Sequence, residues 1–84
     1  MKEFRPNYYK NKKGRDLFWK METRCYPYDW CIGFCELNIK KYEMRIGEKT
    51  RDTTLDKRKI ATYQAEINRL KDTRRALDEI GEEW

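Results

Sequence analysis

Between residues 54 and 80 apolar side chains recur at helical spacing: Ile60, Tyr63, Ile67, Leu70 and Leu77. Steps of three, four and seven place them on one face of an α-helix. Arg74 takes the seam position between Leu70 and Leu77, and Trp84 continues the phase. The stripe covers about three heptads, enough for a helical hairpin or a subunit seam. Core packing within one chain is the simpler use of it. A chain of 84 residues holds one domain, so the other segments must pack on this helix.

Upstream, Thr53-x-x-Asp56 resembles a capping box, with Asp in place of the preferred Glu. Residues 47–53 read as a short polar connection. Before it a second helix is expected from Trp30 to about Ile46, with Asp29 as N-cap and Gly47 as its stop. This helix carries two neighbouring stripes. Trp30, Phe34, Leu37 and Met44 are apolar and are expected in the core. Cys31, Cys35, Asn38, Tyr42 and Arg45 begin apolar and end polar, so they should run from core to rim. Tyr26-Pro27-Tyr28 separates this helix from a short one, expected from Gly14 to about Arg24, with Leu17, Phe18, Met21 and Cys25 at helical spacing. Pro6, Tyr8, Tyr9 and the lysines that follow suggest an extended arm.

The expected fold is therefore all-α. A short helix, a central helix and a long C-terminal helix form an antiparallel helical hairpin, because a short connection makes the last two antiparallel neighbours. An extended arm occupies residues 1–13, one helical domain residues 14–80, and an acidic tail residues 81–84. Acid at a helix C-terminus opposes the macrodipole, so the run from Asp78 to Glu83 should fray unless basic groups meet it.

Composition bears on stability and partners. Charged residues make up 42% and hydrophobic ones 38%, which approaches the disordered regime. Three Trp, six Tyr and three Phe offset this by burying large areas. The result is a thin core, which favours a homo-oligomer. The net charge of +5 lies in residues 1–24, where eight Lys/Arg face three Asp/Glu. That imbalance suggests an anionic partner, and a solvated surface accounts for it equally well. Three cysteines, no export signal and no apolar stretch of spanning length point to a reducing cytosol and no membrane contact.

With no histidine and no serine, the usual Ser/His and Cys/His nucleophilic schemes are excluded. Cys25, Cys31 and Cys35 lack the paired spacing of a structural zinc site and read as buried apolar residues. Gly47-Glu48-Lys49-Thr50 is not a P-loop, since Lys49 does not follow a Gly and a helix precedes it. The strongest local signal is basic and aromatic. Lys41, Tyr42, Arg45 and Lys49 cluster at the end of the central helix; Asp56, Lys59 and Tyr63 share a face at the start of the long one. A hairpin brings both sets to one end, where cations could hold phosphate, rings could stack a base and the carboxylate could take a sugar hydroxyl. A salt-bridged, solvated hairpin end is the plainer alternative.

At these residues the chain resembles a family of small tailed-phage proteins that includes a nucleotide kinase without a P-loop. The likeness runs through Pro6-Asn7-Tyr8-Tyr9 and Gly14-Arg15-Asp16-Leu17, then Asn38-Ile39-Lys40-Lys41-Tyr42-Glu43-Met44-Arg45-Ile46-Gly47-Glu48-Lys49, and last Asp56-Lys57-Arg58-Lys59-Ile60-Ala61-Thr62-Tyr63. It spans about residues 6–70. Tyr8 stands where the family has His, and Ile60 where it has Ala. The resemblance implies a phage origin, the cytoplasm of an infected bacterial host, and a nucleotide or cyclic nucleotide ligand. The candidate ligand-binding set is Tyr9, Asn38, Lys41, Tyr42, Arg45, Lys49, Asp56, Lys59 and Tyr63.

Two functions are compatible with that set. In the first, the protein sequesters a nucleotide signal of host immunity without turnover and needs no cofactor. In the second, it is a deoxynucleoside monophosphate kinase using ATP and Mg²⁺, with Asp56 as a metal ligand. Nucleic-acid binding through Lys10, Lys12, Lys13 and Arg15 is a weaker third, since no recognised motif accompanies them.

Overall fold

A computed structural model describes residues 16–48 and 52–84. Every element in them is a helix: α1 is Leu17–Glu22, α2 is Tyr28–Glu48 and α3 is Thr54–Glu79. None is long and apolar enough to cross a membrane. The arm expected over residues 1–13 lies outside the described residues.

α2 and α3 pack side by side and run antiparallel, as their contacts require. Arg45, near the end of α2, meets Asp56 in the first turn of α3. Tyr28, which opens α2, lies beneath Arg74 near the end of α3. Between these ends Tyr63 is fully buried and is the hub of the core. Phe18 of α1 meets its ring edge-on at 5.6 Å, Phe34 of α2 at 5.9 Å, and Tyr42 stacks on it at 6.3 Å. Such pairs add to the area that the rings bury.

Helix ends differ from the sequence expectations for identifiable reasons. α1 starts later, because Asp16 caps it by accepting from the Trp19 amide at 2.8 Å. It stops at Glu22, where Arg24 turns the chain at φ 66°. Cys25 therefore leaves the helix and is exposed rather than buried. α2 starts two residues early. Pro27 accepts its first helical bond, from Cys31 N at 3.2 Å, and a proline loses no donor at a helix start. Asp29 is thus inside the first turn, where its charge complements the dipole, and is not the cap. Gly47 does not stop α2, which continues through Glu48. The capping box at α3 does not form either, since Thr53 makes no side-chain cap bond. Asp52 instead accepts from the Thr54 amide at 2.9 Å and from its hydroxyl.

The largest departure concerns which stripe of α2 enters the core. Cys31, Cys35 and Tyr42 are buried, whereas Trp30, Leu37 and Met44 are 69%, 73% and 67% exposed. The two stripes are one residue out of phase, about 100° apart around the helix. Tyr42 on Tyr63 and Arg45 on Asp56 fix the rotation, and no turn of α2 that keeps those contacts can also bury the Trp30 stripe. Of that stripe only Phe34, half-buried, reaches the core.

The acidic end of α3 is held rather than frayed. Gly81, at φ 77°, reverses the chain so that Glu82 N bonds to Leu77 O at 2.9 Å and Gly81 N to Asp78 O at 3.2 Å. Arg24 reaches the Glu83 carbonyl at 3.4 Å. Trp84 then folds back, donating from Nε1 to Tyr26 O at 2.9 Å and meeting Tyr28 edge-on at 5.2 Å. It reaches the core through this turn and not by continuing the helical phase.

Candidate functional site

At the turn end of the hairpin, the last turns of α2 lie against the first turns of α3. Lys41 and Tyr42 are adjacent in sequence; Lys59 lies one helical step from Tyr63, so the packing of one Tyr on the other brings both lysines to the Tyr42 ring. Lys41 Nζ lies 4.8 Å and Lys59 Nζ 5.0 Å from the centre of the Tyr42 ring. Both distances fall within cation–π range. One turn on, Arg45 Nε lies 3.4 Å from Asp56 Oδ1, with the guanidinium half exposed and the carboxylate buried. Neither lysine has a carboxylate within salt-bridge distance among the described residues.

Six of the nine residues singled out from the sequence therefore come together: Lys41, Tyr42, Arg45, Asp56, Lys59 and Tyr63. Asn38 sits one turn earlier, and its amide donates to the Phe34 carbonyl at 2.8 Å. Tyr9 and Lys49 lie outside the described residues. The grouping holds, but two roles change. Tyr42 and Tyr63 are core rings and not open platforms for a base, because packing α3 on α2 leaves their faces to each other. Asp56 is paired with Arg45 and is not presented to a metal. What the site offers outward is positive charge on a rigid aromatic base.

The sequence also held a buried polar set that stripe reading missed. Glu66 is fully buried, bonds to Arg69 Nε at 3.1 Å, and Arg69 approaches Glu22 of α1 at 4.0 Å. The signal was present: Glu66 falls three residues after Tyr63 and four before Leu70, on the apolar face. Burial pushes the Arg69 guanidinium down from its ordinary value. Burial, followed by the Glu66 charge, pushes the Cys31 thiol up and the Cys35 thiol up to about 12. These two thiols stay protonated at neutral pH and are poor nucleophiles. Among the described residues no group of three or more side chains of metal-ligating type comes together.

At the open end, a polar cavity of about 390 Å³ is bordered by Tyr28, Trp84, Arg74 and the carboxylates Asp29, Asp78 and Glu83. Arg74 lies 4.3 Å above the Tyr28 ring. The charge there is opposite in sign to that at the turn end.

No family model, curated protein or solved structure matches this chain.

Proposed function

We propose that the turn end of the hairpin binds a phosphate-bearing nucleotide without turning it over. The observation that carries this reading is the pair of ammonium groups, Lys41 and Lys59, brought to one ring from two helices, with no carboxylate of the described residues within salt-bridge distance of either. A phosphate oxygen that reaches either ammonium group would form a charge-assisted hydrogen bond with it. Arg45, half exposed beside them, adds a forked donor suited to phosphate oxygens. A base would have to rest against the outer surface of the site, since Tyr42 and Tyr63 are enclosed. The likeness to small tailed-phage proteins supports the narrower form of the proposal, in which the ligand is a nucleotide or cyclic nucleotide signal of the infected host. The absence of histidine and the pairing of Asp56 with Arg45 favour holding over phosphoryl transfer.

The test is calorimetric titration of the full chain with pyrophosphate, a panel of nucleoside monophosphates and a cyclic dinucleotide, followed by mass analysis of the recovered ligand. Replacing Lys41 and Lys59 together by alanine should weaken binding at least tenfold, about 1.4 kcal/mol. Lys40→Ala, on the neighbouring exposed face, should leave it unchanged. Equal affinity in the double variant would sink the site. A diphosphate product formed with ATP and Mg²⁺ would replace sequestration by kinase activity.

A further inference from the structure

The unused stripe of α2 points to a second copy of this chain as its occupant. We infer that two hairpins pair through α2 in antiparallel order, about a twofold axis at Leu37, to make a four-helix arrangement. Trp30, Leu37 and Met44 are spaced by seven residues, so they form a straight row about 21 Å long on the outer face of α2. All three are about two-thirds exposed or more. An apolar row of this kind on a thin-cored domain is the pattern that self-association buries.

The order of the charges selects the antiparallel arrangement. The row is flanked on one side by Gly33 and Lys40 and on the other by Phe34 and Lys41. Parallel pairing would set Lys40 against Lys41 of the partner subunit, like charge against like charge. Antiparallel pairing sets Lys40 opposite Gly33 of the partner subunit and Lys41 opposite Phe34 of the partner subunit. Gly33 has open space where a side chain would stand, which leaves room for the lysine stem.

A cleft supplies an independent third feature. Leu17, Met21, Tyr26, Cys31 and Phe34 line an apolar hollow of about 190 Å³ beside Trp30, where α1 meets α2. In the antiparallel dimer the residue facing Trp30 is Met44 of the partner subunit, an unbranched side chain that adapts to irregular apolar gaps and favours aromatic contact. Twofold symmetry fills both clefts in the same way, as an isologous interface requires.

Sedimentation equilibrium of the full chain should give twice the mass of the 10.4 kDa chain at micromolar concentration. Leu37→Arg should return the single-chain mass. Should that variant lose its helical circular dichroism, cysteine crosslinking decides. In a Cys25→Ala background, Leu37→Cys should join to itself through a short bismaleimide. Trp30→Cys and Met44→Cys should each fail alone and crosslink when mixed. A single-chain mass for the unaltered protein at all concentrations, or self-joining of Trp30→Cys as efficient as that of Leu37→Cys, would overturn the proposal.

Discussion

The two ends of the hairpin use the same contact, a cation over a tyrosine ring, in opposite settings. At the turn end Tyr42 is buried on Tyr63, and Lys41 and Lys59 ride on it from two helices. At the open end Tyr28 is only half-buried; it carries Arg74 and leans on Trp84, which is anchored by one hydrogen bond to Tyr26. The first ring is part of the core, so its lysines sit on a rigid base, with no carboxylate of the described residues in salt-bridge range. The second ring depends on the last four residues coming back through Gly81. Stability is not uniform along such a molecule, and the end with fewer buried contacts opens first. A binding site belongs where folding has already placed the cations, as the burial of Tyr42 does for Lys41 and Lys59.

The sharpest way to break this comparison is to remove one ring at each end. Tyr42→Ala deletes a buried aromatic from the stack on Tyr63 and should cost about 4 kcal/mol, read as a shift in the urea unfolding midpoint. Trp84→Ala removes one edge-on ring contact and one hydrogen bond and should cost about 2 kcal/mol. Hydrogen exchange should then quicken around Tyr28 and Leu77, while amides near Tyr63 stay protected. Equal costs for the two variants would mean that the open end is as much a part of the core as the turn end.

The sequence made the helices legible and left their rotation open. Three helices, a hairpin and the grouping of Lys41, Arg45 and Lys59 followed from periodicity, which reports what shares a face. Periodicity does not report which of two adjacent faces meets a partner. α2 offers apolar residues over more than half its circumference, and the more hydrophobic stripe, with Trp30 and Leu37, lost to the one bearing Tyr42 and Arg45. That choice was made across the seam, by Tyr63 and Asp56, and so could not be read from α2 alone. Glu66 was overlooked for a related reason. A carboxylate on an apolar face looks like an error in the stripe until Arg69 is seen to meet it.

How dry the middle of the seam is, between the turn end and the open one, can be sharpened by pH. The Cys35 thiol is pushed up to about 12, by burial first and then by the Glu66 charge. Below the ordinary thiol pKa of about 8.5 both folded and unfolded chains keep the proton, and the full stability is present. Above it the unfolded chain loses the proton while the folded chain holds it, so stability falls as pH rises toward 12. Between about pH 7 and about pH 9.5 the protein should lose about 1 kcal/mol more than Cys35→Ala does, measured by urea unfolding at each pH. The same burial predicts that a thiol reagent at neutral pH labels Cys25 quickly and the other two only on unfolding. Fast labelling of Cys35 would place water in the seam.

The smallest effect concerns the open end alone. Two helices stop there by the same device. After α3, Gly81 takes the left-handed conformation, with bonds from Glu82 N to Leu77 O and from Gly81 N to Asp78 O. After α1, Arg24 does so at φ 66°, with matching bonds from Cys25 N to Lys20 O at 2.9 Å and from Arg24 N to Met21 O at 3.1 Å. A glycine adopts this conformation without steric cost, whereas a residue with a Cβ pays about 1 kcal/mol for it. Against that gain stand the greater freedom of glycine in the unfolded chain and the 3.4 Å contact from Arg24 to the Glu83 carbonyl, which is long and exposed. Arg24→Gly should therefore raise stability slightly, by about 0.5 kcal/mol, and Gly81→Ala should lower it by about 1 kcal/mol. A loss on Arg24→Gly would show that the arginine clamps the returning chain, and that the open end is held by its side chains more than by its turns.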